Sequence, residues 1–311
     1  MHPHQQAQGA TEDPLAFRGS ISTQLASRLV AAQFPHWAHL TVSPVSSGGW
    51  DNLTFHLGDE MSVRLPSGPG YAAQVDKESR WLPYLARYLT LPVPTRLAKG
   101  RPGDGYPFDW SVNRWLDGES ALTARIEDQV GLGTALADFL QDLHLVDPTG
   151  GPPTGEHNFF RGGPLSTYDV DTRRAIEILA DRVDTGTATE VWEAALASSR
   201  SSTPVWVHGD FAAGNLLILD GRLSAVIDFG CMCVGDPACD LAIAWTLLTG
   251  DGREAFRAGL RLDPGTWARG RGWTLWKALI TISGQFDSDP AAAGVAQRVL
   301  DEVLAEHRLL G

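Results

Sequence analysis

The sequence predicts an α+β protein of two lobes, the first an antiparallel sheet with a helix and the second mainly helical. Three observations carry this reading. Apolar residues fall at strand period from Leu40 to Val45, Leu53 to Leu57 and Met61 to Leu65, with turn residues between them. Beyond Gly118 the period lengthens to that of helices: Leu132, Leu136, Phe139, Leu140 and Leu143 form one stripe between Gln129 and Leu145. The 311 residues are also long for one compact core and comfortable for two.

The elements follow in order. Residues 1–19 read as a disordered tail, because Met1 to Asp13 are polar and rich in Gln, His and Pro. Ser22 to Gln33 reads as a helix striped by Leu25, Leu29 and Val30, with Ser20 or Ser22 as its cap. Ser46 to Asn52 is a turn-rich loop, and Pro66 to Gly70 reads as a flexible break. A helix is expected from Gln74 to Leu89, kinked or split at Pro83. Pro92 and Pro94 mark an extended link before a strand from Phe108 to Leu116. The N-lobe thus spans 20–117 and the C-lobe 118–311. In the C-lobe, Pro148 to Gly163 is a loop, and Asp169 to Ala180 and Thr189 to Ser198 are helices. Short strands are expected at Val205 to His208, Leu216 to Leu219 and Val226 to Asp228. A helical tail opens at Asp240, with Trp245, Trp273 and Trp276 in its core. A cleft between two lobes is the expected ligand site.

Composition narrows the partners. A formal net charge of −12 repels phosphate backbones and suits cations, so no nucleic-acid partner is expected. No apolar run approaches the roughly 20 residues of a membrane span. The three cysteines, Cys231, Cys233 and Cys239, are odd in number and follow no signal peptide, which argues for a reducing cytoplasm. Their C-x-C-x5-C spacing has no local Cys or His to complete a zinc set, so they read as small buried fillers.

The chemistry concentrates in His208-Gly209-Asp210-Phe211-Ala212-Ala213-Gly214-Asn215 and, further on, Asp228-Phe229-Gly230. The pattern H-x-D-x-x-x-x-N followed by D-F-G has the spacing of a kinase active site. Asp210 is the candidate base for a substrate hydroxyl. Asn215 and Asp228 supply hard oxygens suited to Mg²⁺, whose shell nucleotide phosphates complete. Singly, these residues have plainer uses: a turn aspartate, a cap, a strand-end turn. Together, in this order, they fit one chemistry. His208 reads as a brace for the loop rather than a proton carrier.

These stretches, with Gly235-Asp236-Pro237-Ala238-Cys239-Asp240-Leu241-Ala242, resemble the aminoglycoside phosphotransferase family of antibiotic kinases over residues 20 to 305 or so. The resemblance implies a bilobal protein-kinase-like fold, ATP or GTP as donor, and a small cationic acceptor. It implies that Asp236 and Asp240 bond the backbone near the metal site. It maps the family's nucleotide loop to Ser46–Asn52, where Ser47 and Gly48 let backbone N–H groups approach phosphates. The strand that follows should carry a phosphate-binding lysine; here it reads Ser62-Val63-Arg64-Leu65-Pro66, so Arg64 inherits the role, with Glu78 as its partner. The adenine-binding hinge maps to Val112–Gly118, with the backbone of Arg114 and Leu116 facing the purine.

Four functions compete. An aminoglycoside kinase fits the acidic charge, and Asp287, Asp289, Glu302 and Glu306 are candidate carboxylates for its pocket. A macrolide kinase needs a broad apolar pocket, which the C-lobe tryptophans can line. A metabolite kinase would act on choline, homoserine or a sugar amine. A nucleotide-binding pseudokinase draws support from the missing lysine, while intact Asp210, Asn215 and Asp228 argue against it.

Overall fold

The computed structural model describes residues 14–45, 49–198, 203–285 and 288–310. It contains two compact units, residues 14–118 with 224–230, and residues 119–223 with 231–310. The D-F-G segment therefore packs with the N-terminal unit.

That unit opens with α1 (Pro14–Ser20) and α2 (Thr23–Gln33). Ser22 caps α2 by accepting from the Leu25 N–H. The strands are β1 (Val42–Pro44), β2 (Asn52–Leu57), β3 (Met61–Pro66), β4 (Arg96–Gly100) and β5 (Trp110–Arg114), with α3 (Pro69–Leu85) between β3 and β4. They form one antiparallel sheet in the order β1-β2-β3-β5-β4. Leu25, Leu29 and Val30 of α2 pack with Phe55, Leu57, Val63, Leu65 and Val112. Each such side chain contributes about 1.5–3 kcal/mol by leaving water. Because strand side chains alternate, burying Val63 and Leu65 on this face puts Arg64 on the other, where it meets α3.

The C-terminal unit begins at β6 (Glu119–Ser120) and α4 (Gln129–Leu145), followed by α5 (Asp169–Ile178) and α6 (Thr185–Ala197). Next come β7 (Val205–Val207), β8 (Leu216–Leu219), β9 (Arg222–Val226), whose last residues belong to the N-terminal unit, and β10 (Cys233–Gly235). The helices α7 (Ile243–Thr246), α8 (Gly250–Leu260), α9 (Pro264–Gln285) and α10 (Pro290–Leu310) complete it. Trp267, Trp273 and Trp276 of α9 are buried, as is Trp245 of α7. The short antiparallel pair β7–β10 sets Val207 against Cys233 just before the His208 loop.

Several expectations need correction. Residues 14–19 are helical rather than a disordered tail, because Phe17 docks edge-on to Phe108 and near Tyr106; residues 1–13 lie outside the described set. Pro66–Gly70 is not all break: Pro69 starts α3, where its missing N–H costs nothing. The helix is not split at Pro83 but runs through it and stops at Leu85, short of Leu89. The extended link after Pro94 contains β4. The third short strand runs Arg222–Val226, so Asp228 lies past its end. The three cysteines are buried and form no disulfide among the described residues. Among the described residues no helix is long and apolar enough to cross a membrane.

Candidate active site

The N-terminal unit gathers three of the sequence candidates around one guanidinium. Arg64 reaches from β3 to Glu78 on α3, with Nη1 at 3.4 and 3.3 Å from the two carboxylate oxygens. Its Nη2 lies 2.8 Å from Asp228 Oδ1. Burial acts to lower the Arg64 pKa, and the charges of Glu78 and Asp228 outweigh it and raise it. The arginine is therefore a fixed cation held by two anions.

Asp228 takes an unusual backbone to get there. Its φ is 64°, the left-handed region that a non-glycine residue enters at a cost of about 1–3 kcal/mol. The segment that presents it is tied down on both sides of β9: Ser224 Oγ donates to the Asp117 carbonyl and Val226 N–H to the Pro92 carbonyl. Gly230 then passes Gln74 of α3 so closely that a Cβ would sit 2.4 Å from Gln74 Oε1. Gln74 in turn donates to Asp51 at 3.2 Å. Gly49 comes within reach of the same carboxylate: a Cβ there would lie 3.9 Å from Asp228 Oδ2. Ser47 and Gly48, the phosphate-loop candidates, lie outside the described residues.

The hinge residues are placed by the sheet. Arg114 donates its N–H to Thr95 O and Trp115 its N–H to Glu60 O, each at 2.8 Å. The Arg114 N–H is thus already used within the sheet. Among the described residues no acceptor takes the Leu116 N–H.

The C-terminal unit builds the His208 loop around a buried carboxylate. Asp240 accepts from the N–H groups of His208 at 2.7 Å and Gly209 at 2.8 Å. Burial pushes the Asp240 carboxyl up, and the His208 charge and these donors pull it back. Gly209 has φ 80°, and a Cβ there would stand 2.3 Å from the Cys231 carbonyl oxygen, so only glycine fits. His208 is wholly buried, and its Nδ1 accepts from the Asp210 N–H at 3.2 Å, which makes it a brace of the loop. The Asp210 side chain emerges exposed. Asn215 donates its amide to Asp210 O at 2.9 Å and to Asp210 Oδ2 at 3.1 Å. The amide nitrogen thereby holds the carboxylate.

Asp236 caps the turn after β10 by accepting from Ala238 N–H at 3.1 Å. It also pairs with Arg269 of α9 at 2.6 Å, both side chains buried. Sequence reasoning missed Arg269; a partner 33 positions away leaves no spacing signal. The pocket carboxylates need correction. Glu306 accepts from Arg257 at 2.7 Å, Arg271 at 3.3 Å and the Trp245 indole at 2.8 Å. Glu302 pairs with Arg253. Asp289 caps α10 through the Ala292 N–H. Asp287 lies outside the described residues. The two glutamates are thus neutralised within the fold rather than free for a cation.

Among the described residues no three His, Cys, Asp or Glu side chains gather to hold a metal unaided. Asn215 and Asp228 are hard oxygen donors of the kind that hold Mg²⁺ jointly with substrate phosphates.

Relatives support the same chemistry. An aminoglycoside 3′-phosphotransferase of Escherichia coli is 27% identical over 216 residues, covering 65% of this chain and 70% of that protein. One of Salmonella typhimurium is 26% identical over 227 residues, 68% of this chain and 77% of that protein. Among solved structures, a GDP and kanamycin complex of an aminoglycoside 2″-phosphotransferase superposes with a TM-score of 0.68 at 18% identity, covering 90% of this chain and 98% of that one. A macrolide 2′-phosphotransferase from Brachybacterium faecium gives 0.56 at 21% identity, covering 90% and 98%. The fold is thus protein-kinase-like and bilobal. Residues 41–273 match the family described as the phosphotransferase enzyme family, and with most of its 311 residues inside that match the chain belongs to it.

Proposed function

We propose that this phosphotransferase moves the γ-phosphate of ATP or GTP, with magnesium and in the cytoplasm, to a hydroxyl of an aminoglycoside-type acceptor. The observation that carries the reading is Asp210, an exposed carboxylate braced through its own backbone by His208 and through its side chain by Asn215. The relatives that act on aminoglycosides and the net charge of −12 support a cationic acceptor.

Asp210 accepts the proton of the acceptor hydroxyl and holds its oxygen toward the phosphorus. Asn215 steadies that carboxylate through its Oδ2. Arg64 anchors donor phosphate with a charge that no physiological pH removes, and Glu78 sets its direction. The carbonyl of Arg114 and the N–H of Leu116 face the purine. Asn215 and Asp228 would hold the magnesium, which would supply neutralisation of charge on the phosphates. Asp236 and Asp240 support the loop through the bonds described.

The test is a panel of aminoglycosides, macrolides and amino-alcohols, read by nucleotide consumption with magnesium and ATP or GTP. An aminoglycoside should be phosphorylated, and Asp210→Ala should cut turnover by roughly 10²–10⁴-fold with nucleotide binding retained. Turnover confined to macrolides or amino-alcohols would reassign the acceptor. Bound nucleotide with no product from any compound would leave a binding protein instead of an enzyme.

A further inference from the structure

Among its described residues the C-terminal unit buries three arginines almost completely, Arg161, Arg269 and Arg271. Arg269 pairs with Asp236, and Arg271 with Glu306. Arg161, only 7% exposed, has no carboxylate among the described residues, and its sealed Nε meets no acceptor. It stands in an aromatic box instead. Its guanidinium carbon is 4.9 Å from the Trp276 ring centre and 5.6 Å from that of Trp273. Tyr168 closes the box, 4.1 Å from Trp276 and 5.2 Å from Trp273. The indole N–H groups of Trp273 and Trp276 are buried and unpartnered as well.

The rings recover only part of what a guanidinium loses on leaving water. A buried positive charge with no carboxylate beside it calls for an anion with several acceptor oxygens. The position is also built. The Arg161 carbonyl is gripped by Asn158 Nδ2 at 3.0 Å and Cys233 Sγ at 3.2 Å. Asn158 also donates to the Cys231 carbonyl, the group that Gly209 must clear beside Asp210. The arginine is therefore fixed from behind, in a turn held against β10 through Cys233.

We propose that Arg161, walled by Tyr168, Trp273 and Trp276, is an oxyanion-binding site that takes a carboxylate, sulfate or phosphate group. The group belongs either to the acceptor substrate or to a free inorganic ion. The site belongs to the C-terminal unit, whereas the phosphate anchor Arg64 belongs to the N-terminal one.

The probe is sodium sulfate, titrated against sodium chloride at matched ionic strength. Magnesium and nucleoside diphosphate are kept saturating so that Arg64 does not report. Thermal melts and tryptophan fluorescence are read on the full chain, on Arg161→Met and on Arg161→Lys. The wild type should show a saturable rise in Tm and a fluorescence change over the same sulfate range. Arg161→Met should keep only the non-saturable salting effect of sulfate. Arg161→Lys, which keeps the charge and loses the planar fork, should need about tenfold more sulfate. Equal responses of wild type and Arg161→Met overturn the site. If Arg161→Met does not fold, equal affinities of wild type and Arg161→Lys do so. Sulfate that competes with the acceptor in turnover assigns the oxyanion to the acceptor. Saturable sulfate binding that leaves the acceptor KM unchanged assigns it to a free ion.

Discussion

Arg64 spans two carboxylates with one planar fork, and that geometry separates it from a lysine. An ammonium is a point charge and reaches one partner well; the guanidinium offers Nη1 to Glu78 and Nη2 to Asp228 at once. Removing it leaves the buried Glu78 beside an unpaired Asp228, and breaking such a pair costs about 3–5 kcal/mol. Arg64→Ala should therefore lower the Tm and weaken nucleotide binding together. Arg64→Lys should hold most of the Tm and still raise the nucleotide KM. Calorimetric melts and nucleotide titrations of both variants check this, and an Arg64→Ala protein with wild-type nucleotide affinity removes Arg64 from the site. The Arg64–Glu78 pair was legible because a strand arginine and a helix glutamate stood where the family pattern puts them. The Arg64–Asp228 bond was not, since it spans 164 positions and depends on the left-handed turn at Asp228.

At the scale of elements, the site depends on where chain segments approach too closely for a side chain. Gly209 lies against backbone, the Cys231 carbonyl, and Gly230 against a flexible side chain, Gln74. The two glycines should respond differently to alanine. Gly209→Ala adds a positive-φ penalty to a backbone clash and should cost more than about 3 kcal/mol with no single-site remedy. Gly230→Ala should lose less and recover most of its loss when Gln74→Ala removes the opposing amide. Urea unfolding of the two singles and the double variant tests this, and an unrescued Gly230→Ala contradicts it. The D-F-G spacing made Gly230 visible in the sequence, but not what it touches. Strand β4 went unread for a related reason. Arg96, Leu97, Lys99 and the flanking prolines carry little apolar alternation, and the strand forms as a sheet edge against β5, where Gly100 lets Trp110 lie flat across it. Helix α3 was placed five residues late because Pro69 and Gly70 looked like a break, although proline suits a first helical turn.

At the scale of the whole molecule, the acid limb of stability should have two separable parts. His144 of α4 lines a hollow of about 300 Å³ with Leu145, Val205, Pro237, Leu260 and Arg261, and its Nε2 is sealed and unpartnered. Burial lowers its pKa from 6.5 to about 4. Between those values the unfolded chain binds a proton that the folded one refuses, so stability falls as the pH drops from 6.5 toward 4, by at most about 3 kcal/mol. Asp184 works lower. The Thr187 N–H and hydroxyl, with Arg308, hold its carboxyl down to about 2 from 3.8, so its contribution is complete above 3.8 and disappears as the pH falls toward 2. The two windows barely overlap, which lets one substitution isolate the first. His144→Phe removes the titrating ring and keeps an aromatic body in the hollow. Its unfolding free energy, measured by urea melts, should stay flat between about pH 6.5 and 4 where the wild type declines, and both proteins should fall together below that range. A wild type whose decline in that window is matched by His144→Phe would move the acid sensitivity of the C-terminal unit to groups other than His144.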